Sequence, residues 1–477
     1  MRKVYYRSPG KSVCADVIPF YEDGEFKLFY LRDYRDIEND GEGCPWCLLT
    51  TKDLVNYVDH GPVLLRGTKE EQDLYVFTGS IFKISDNNYV IYYTGHNPHL
   101  RAKGLPEQKI LRAFSKDLVT WEKDTNFVFE APEYLEIHDF RDPFVYYDED
   151  KKEYRMLLAA RDKNDNPYFT KGLTLLATSK DMDKWELQKE PFFYPKSFFT
   201  HECPDLFKMG DWYYLIFSEF TDKFSGTYRM SKTPYGPWIA PLNNTFDGHA
   251  FYAPKSWVDK NGRRILFGWN PIKNNEKDYE FWQWGGHVVP HEIIQNEDGT
   301  LGVRCPDEIR NAFFDEFKLG QSLELGKVEK NNNEYHLGKD EDGLNILSFN
   351  EIPNCAKIEM KFKADDLRGD FGVLLRGVNN FEKYYKIKFE PRFNRVAIDC
   401  LPRKDLSQVI SSDTERYIPI EPNKENTLLI IMQESVLEVY INEQVAMSYR
   451  MFDIKDGEFA IYSHNTSTRF YDINIKI

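Results

Sequence analysis

"TTKDLVNY" at 50–57, "FSKDLVTW" at 114–121 and "TSKDMDKW" at 178–185 are one motif written three times. Their lysines, Lys52, Lys116 and Lys180, recur at an interval of 64 residues. A degenerate fourth copy is "MSKTPYGPW" at 230–238. Interleaved with these is a second element, a turn followed by an aromatic strand: "DGEFKLFYL", "DNNYVIYYTG", "DKKEYRMLLAA", "GDWYYLIFS" and "NGRRILFGW". Five β units of this size cannot each bury both faces of a sheet alone, so they must pack on one another. The spacing predicts an all-β chain that begins with a five-bladed β-propeller over residues 1–308, one small sheet per unit.

In a propeller the first strand of each blade lines the central channel. The segments just upstream of the turn-plus-aromatic element are "CADVIPFYEDG", "FTGSIFKISDN", "FRDPFVYYDED", "ECPDLFKMGDW" and "FYAPKSWVDKNG". Three of them carry an acid at what reads as the matching place: Asp16, Asp142 and Glu202. One carboxylate at a strand start can serve as a cap for backbone donors. Three converging on one axis form a like-charge cluster that costs stability unless function or a cation such as Arg141 offsets it. The set suits glycosidic bond cleavage, with one carboxylate to attack or activate water and one acid of raised pKa to protonate the leaving oxygen.

At these residues the chain resembles glycoside hydrolase family 32, the β-fructofuranosidases, invertases, inulinases and levanases. "FRDPFV" is similar to the family's R-D-P motif, "HECPDLF" to its E-C motif, and "VFTGS", "DGHAFYAPKSW" and "WGGHVVPHEI" to further family segments. The resemblance implies a retaining hydrolase that releases terminal β-fructofuranosyl residues from fructooligosaccharides, fructans or sucrose. In it Asp16 would be the nucleophile, Glu202 the general acid/base and Asp142 the transition-state stabiliser. It further implies that Arg141, Phe77, Thr78 and Cys203 contact substrate and that Trp46 and Trp269 wall the sugar site. Blade packing is an equal use for each of these rings.

The departures matter too. Around Asp16 the family's flanking Asn is Ala15 and its following Pro is Val17, and the Gln after the next strand is Leu31. Two groups that would bond fructose hydroxyls are therefore replaced. Arg32, Asp33 or Arg35 would have to compensate, and sucrose is expected to rank below another furanoside. Three alternatives stand beside the hydrolase: an inverting arabinofuranosidase or xylosidase of the family 43 type, a fructosyltransferase, and a catalytically dead carbohydrate-binding propeller.

After residue 308 a linker helix is expected over 309–325, then a β-sandwich over 326–477 built from strands such as "KIEMKFKA", "YYKIKFEP" and "VLEVYINE". A net charge of −15 opposes a phosphate-binding surface, so no nucleic-acid partner is expected. Neither a signal-peptide core nor a run of 18 apolar residues occurs, which predicts a cytosolic protein without a membrane partner. Seven scattered cysteines fit reduced thiols, and the lone Cys44-Pro-Trp-Cys47 lacks partners for a metal, so no cofactor or metal is expected.

Overall fold

The repeated motif is a turn that closes the third strand of a sheet. In the computed structural model, which describes residues 3–164, 167–221, 224–339, 342–401 and 413–477, the Ser115 hydroxyl accepts the backbone N–H of Asp117 and Leu118. The Asp117 carboxylate then accepts those of Val119 and Thr120. Thr51 with Asp53 and Ser179 with Asp181 repeat the pattern. The residue after the aspartate, Leu54, Leu118 or Met182, takes a left-handed φ of 57°, 62° or 64° and buries its side chain. In the degenerate copy Thr233 stands in for the aspartate and its hydroxyl accepts the N–H of Tyr235. The motif therefore repeats because each sheet needs the same closure, satisfying backbone donors that a tight turn strands.

These turns punctuate antiparallel meanders. Tyr75–Ser85, Asn88–His96, Gln108–Ser115 and Trp121–Lys123 form one sheet in chain order. A second runs from Leu135–Asp148 through Glu153–Asp162 and Gly172–Ser179 to Glu186–Leu187, and a third from Glu202–Met209 through Trp212–Glu219 to Ser225–Ser231. A nine-stranded sheet joins the two ends of this half of the chain. In it Trp282–Gln295 meets Val13–Glu22 at the single pair Gly286 and Cys14. Only glycine fits at 286, since a Cβ there would lie 1.7 Å from the Asn270 carbonyl oxygen. The short Tyr6–Arg7 strand also pairs with Trp282–Gln295, so the beginning of the chain ties down the last sheet.

Five strands carry a register break at the same depth. The breaks lie between Ala15 and Ile18, Phe77 and Gly79, Arg141 and Phe144, Glu202 and Asp205, and Tyr252 and Lys255. At four of them a non-glycine residue takes a positive φ: Asp16 at 41°, Asp142 at 58°, Cys203 at 51° and Ala253 at 49°. Such bulges re-aim side chains and stop pairing, and they concentrate beside active sites. Side-chain oxygens then link neighbouring bulged strands. The Thr78 hydroxyl donates to Asp16, Ser80 accepts the N–H of Val145, Asp142 accepts that of Cys203, and Asp205 accepts that of Ser256.

The C-terminal half is a sandwich of two seven-stranded antiparallel sheets. Alternate residues from both sheets, among them Phe371, Phe389 and Phe459 facing Phe362, Ile430 and Phe470, make one continuous core. The expected linker helix over 309–325 is corrected. The helix spans Asp307–Asn311, and Gln321–Leu325 is an edge strand paired with Leu344–Glu351. Extended chain wins between them because Asp315 and Phe317 hydrogen-bond the last strand at Ile477 and Ile475, while Phe313 fills a core shared by both halves. If the repeated turns are structural closures, Asp117→Ala should lower unfolding stability by about 1 kcal/mol and leave KM for any substrate unchanged. Chemical denaturation beside a steady-state assay checks this.

Candidate active site

The bulges converge on a cavity of about 690 Å³. Six of the nine residues singled out in the sequence, Asp16, Asp142, Glu202, Arg141, Phe77 and Cys203, line it. The other three expected site residues sit behind the wall. Thr78 is fully buried and donates its hydroxyl to Asp16 Oδ2 at 2.6 Å. Trp269 and Trp46, expected as walls, are both 0% exposed. The Trp269 indole N–H donates to Asp16 Oδ1 at 3.1 Å, and that of Trp46 to the Phe77 carbonyl at 3.1 Å. Each ring holds a lining residue in place, because a buried indole needs an acceptor and these acceptors belong to the lining.

Glu202 is not at the place matching Asp16 and Asp142. Cys203 is, and Glu202 stands one residue earlier, level with Arg141, Phe77 and Tyr252. The acid therefore approaches the cavity from the strand position that also carries the guanidinium. Arg141 donates to Glu202 Oε1 at 3.0 Å, to the Thr200 hydroxyl at 2.9 Å and to Asp139 Oδ1 at 2.9 Å, and its Nε lies 3.8 Å from Asp142 Oδ2. Asp142 in turn accepts the Cys203 N–H at 2.9 Å. The second Glu202 oxygen accepts the Tyr252 hydroxyl at 2.6 Å. Tyr252 was not foreseen. The signal was present in "RDP", "ECP" and "YAP", which share a proline just after the bulge residue and so align Arg141, Glu202 and Tyr252.

Burial dominates the electrostatics. It pushes the Asp16 carboxyl up to about 7, with Asp142 and Glu202 adding to the rise while the Thr78 and Trp269 donors oppose it. Glu202 is likewise raised by burial and by Asp142, against the pull of Arg141 and Tyr252. The Glu202 charge helps to raise Asp16, so the two carboxyls titrate as a linked pair. At neutral pH it can hold one carboxyl protonated beside another that is ionised, as acid-assisted displacement requires.

Leu31 and Ala15, where hydroxyl-reading groups were expected to be missing, are fully buried in the core around Trp46. The residues expected to compensate are engaged elsewhere: Arg32 with Asp59 and Tyr30, and Arg35 with Asp33 and the Trp284 carbonyl. Near Asp16 the lining is aromatic instead, with Phe77 stacked on His96 at 4.5 Å and Trp284 6.2 Å from Phe77. Among the described residues, one trio of metal-ligand type comes together, Asp247, His291 and Glu438, and it lies outside the cavity. Ser448 and Tyr440 hydrogen-bond this trio, making it a buried polar knot between the two halves of the chain.

Family models for the glycosyl hydrolases family 32 N-terminal domain and the family 32 C-terminal region match residues 17–302 and 322–477. The chain belongs to glycoside hydrolase family 32. It is therefore a glycoside hydrolase, and its fold is the β-propeller plus β-sandwich of that family. Asp16 lies one residue before the first matched segment. Among family 32 relatives, an insoluble beta-fructofuranosidase isoenzyme of Arabidopsis thaliana is 25% identical over 88% of this chain and 84% of its own length. A sucrose-6-phosphate hydrolase of Escherichia coli is 25% identical over 88% and 83%. Among solved structures, fructan 1-exohydrolase IIa of Cichorium intybus superposes with a TM-score of 0.73 at 17% identity, covering 98% of this chain and 97% of that one.

Two measurements test the electrostatics. A carboxyl whose pKa is higher folded than unfolded contributes stability at low pH and loses it as pH rises through the folded value, here about 7. Asp16→Asn should therefore raise the unfolding free energy at pH 8, by on the order of 1 to 2 kcal/mol, with a smaller gain at pH 5 and none near pH 3. Tyr252→Phe removes a donor that favours ionised Glu202, so the Glu202 pKa should climb further. The basic limb of the kcat/KM profile should then move to higher pH.

Proposed function

We propose that the chain is a retaining β-fructofuranosidase that removes terminal β-fructofuranosyl residues from fructooligosaccharides, fructans or sucrose. The Asp16 carboxylate attacks the anomeric carbon as its bond to the leaving oxygen breaks, and Glu202 gives that oxygen its proton. A covalent glycosyl-enzyme results. Glu202, now ionised, takes a proton from water, the water oxygen bonds the anomeric carbon, and Asp16 leaves with retained configuration. Asp142 faces the developing positive charge, held in place by the Cys203 N–H. The observation that carries this reading is the set of three carboxylates in one cavity, two of them raised by burial, with the buried Arg141 guanidinium bonded to Glu202.

In this reading the nine-stranded sheet is two blades meeting at Gly286 and Cys14, which makes five blades over 1–308, and the five equivalent bulges support that count. Seven cysteines buried as thiols fit work in a reducing compartment such as the cytosol. Sucrose ranks below another furanoside as substrate, since the groups lining the Asp16 side are rings rather than hydroxyl readers.

The test is a product assay on sucrose, inulin- and levan-type oligosaccharides and aryl arabinofuranosides, with the anomer first released read by NMR. Retained β-fructose is the expected product, and an inverted sugar or arabinose would sink the reading. Fructose and leaving group should appear in equal amounts, whereas a deficit of fructose means transfer to another sugar. Glu202→Gln should lose roughly 10²- to 10⁴-fold in kcat on natural oligosaccharides, with a smaller loss on glycosides whose leaving group needs no proton.

A further inference from the structure

The mouth of the cavity carries a cluster of rings for which the chemistry of the three acids has no use. Phe199 is at its centre, with ring centroids 5.2 Å from Tyr168, 6.0 Å from Phe169 and 5.1 Å from Phe220. Tyr168 and Phe169 are each 59% exposed and Phe220 38%. Tyr168, Phe199 and Phe220 line the cavity, so the patch is continuous with the site rather than a separate surface. Leaving several large rings in water together is unfavourable, and such a patch beside a pocket marks a ligand surface.

The rings are also held in position. The Arg161 guanidinium lies 3.7 Å from the Phe199 centroid and 4.6 Å from that of Tyr168. It is fixed by Asp139 Oδ2 at 3.2 Å and by the Tyr168 carbonyl at 2.9 Å. Asp139 holds Arg141 with its other oxygen, and Arg141 holds Glu202. Phe199 is itself three residues before Glu202 in the chain. Thus the ring cluster belongs to the acid's side of the cavity. An acid that protonates the leaving oxygen has the leaving group on its own side, whereas the sugar under attack lies toward Asp16.

Charge narrows what can sit there. Each arginine lining the cavity is already matched, Arg101 by Glu107 at 3.0 Å, Arg161 by Asp139, and Arg141 by Asp139 and Glu202. The lining acids outnumber these cations, and Glu107, Glu136 and Asp139 add acceptors for hydroxyl groups on the same side. Among the described residues that line the cavity, a phosphate there would meet carboxylates and no unspent arginine.

Resting on the assignment of Asp16 and Glu202 made above, we propose that the Phe199 cluster is the binding platform for the leaving group, and that this group is an uncharged sugar chain stacking its C–H faces on Tyr168, Phe199 and Phe220. Its specificity is then for neutral oligosaccharides and against phosphorylated leaving groups.

The experiment compares kcat/KM for methyl β-fructofuranoside, whose leaving group has no ring to stack, with that for a neutral β-fructofuranosyl trisaccharide. The same trisaccharide carrying a phosphate on its leaving portion is a third substrate. In the wild-type protein the neutral trisaccharide should be preferred over both. Phe199→Ala, and independently Phe220→Ala at the exposed edge, should reduce the trisaccharide-to-methyl selectivity by about tenfold. In an Asp16→Asn background the same changes should weaken trisaccharide binding, measured by calorimetry, by a similar factor. An unchanged selectivity ratio in both variants, or a preference for the phosphorylated trisaccharide, would overturn the platform while leaving the acids' roles intact. Failure of the wild type to cleave any of the three fructosides would overturn both.

Discussion

Everything about the cavity follows from burying one guanidinium among carboxylates. Arg141 is 9% exposed in its side chain, and its partners come from three separate parts of the ring: Gln108 from the sheet before it, Asp139 from its own strand, and Thr200 with Glu202 from the start of the sheet after it. A buried charge that loses its partner costs about 3–5 kcal/mol. Hence the sheets can pack in this arrangement only if those oxygens arrive together. The same contacts set the chemistry, because Arg141 pulls the Glu202 carboxyl down against burial and neighbouring charge that push it up. Fold and acid strength are therefore two consequences of one set of hydrogen bonds.

How that set is assembled explains why Arg141 and Asp142 precede a proline. Asp142 and Pro143 fill the bulge, as Cys203 with Pro204 and Ala253 with Pro254 fill theirs. A residue in a bulge has no ladder partner for its N–H, and proline brings none. The proline thus removes an orphan donor, while the preceding residue takes the left-handed φ that turns its side chain toward the axis. At the first bulge Val17 replaces the proline and at the second Thr78 stands alone, which hides the repeat from inspection by eye.

Much of the architecture was legible because it rests on local chemistry. The Ser/Thr-Lys-Asp-Leu turns, the aromatic strands after them and the three acids at strand mouths are each encoded within a few residues. What was not legible depended on register or on contacts distant in sequence. A slip of one residue decides whether Glu202 or Cys203 occupies the bulge, and only pairing reveals it. Trp46 and Trp269 look like any exposed sugar-binding tryptophans until the surrounding core shows them buried. The apolar run after Ile309 has residues spaced for either a helix or an extended strand. It becomes extended chiefly because the final strand, more than 150 residues away in sequence, offers backbone groups that it can satisfy.

The two walls of the cavity are supported by different forces. On the acid's side, charge-assisted hydrogen bonds run from Arg161 through Asp139 and Arg141 to Glu202. On the opposite side the wall at Trp282 and Trp284 is backed by packing, with Trp282 6.3 Å from Tyr449 of the sandwich and Lys273 4.4 Å from the Trp282 ring while paired with Asp413. The sandwich reinforces this brace through Asp278, which accepts the N–H of Phe452 and the hydroxyl of Tyr385. A propeller alone would leave Trp282 without this backing, whereas Trp284 packs on the propeller's own core beside Phe77. The C-terminal domain thus supports the cavity without lining it: it holds still the wall that carries Trp282.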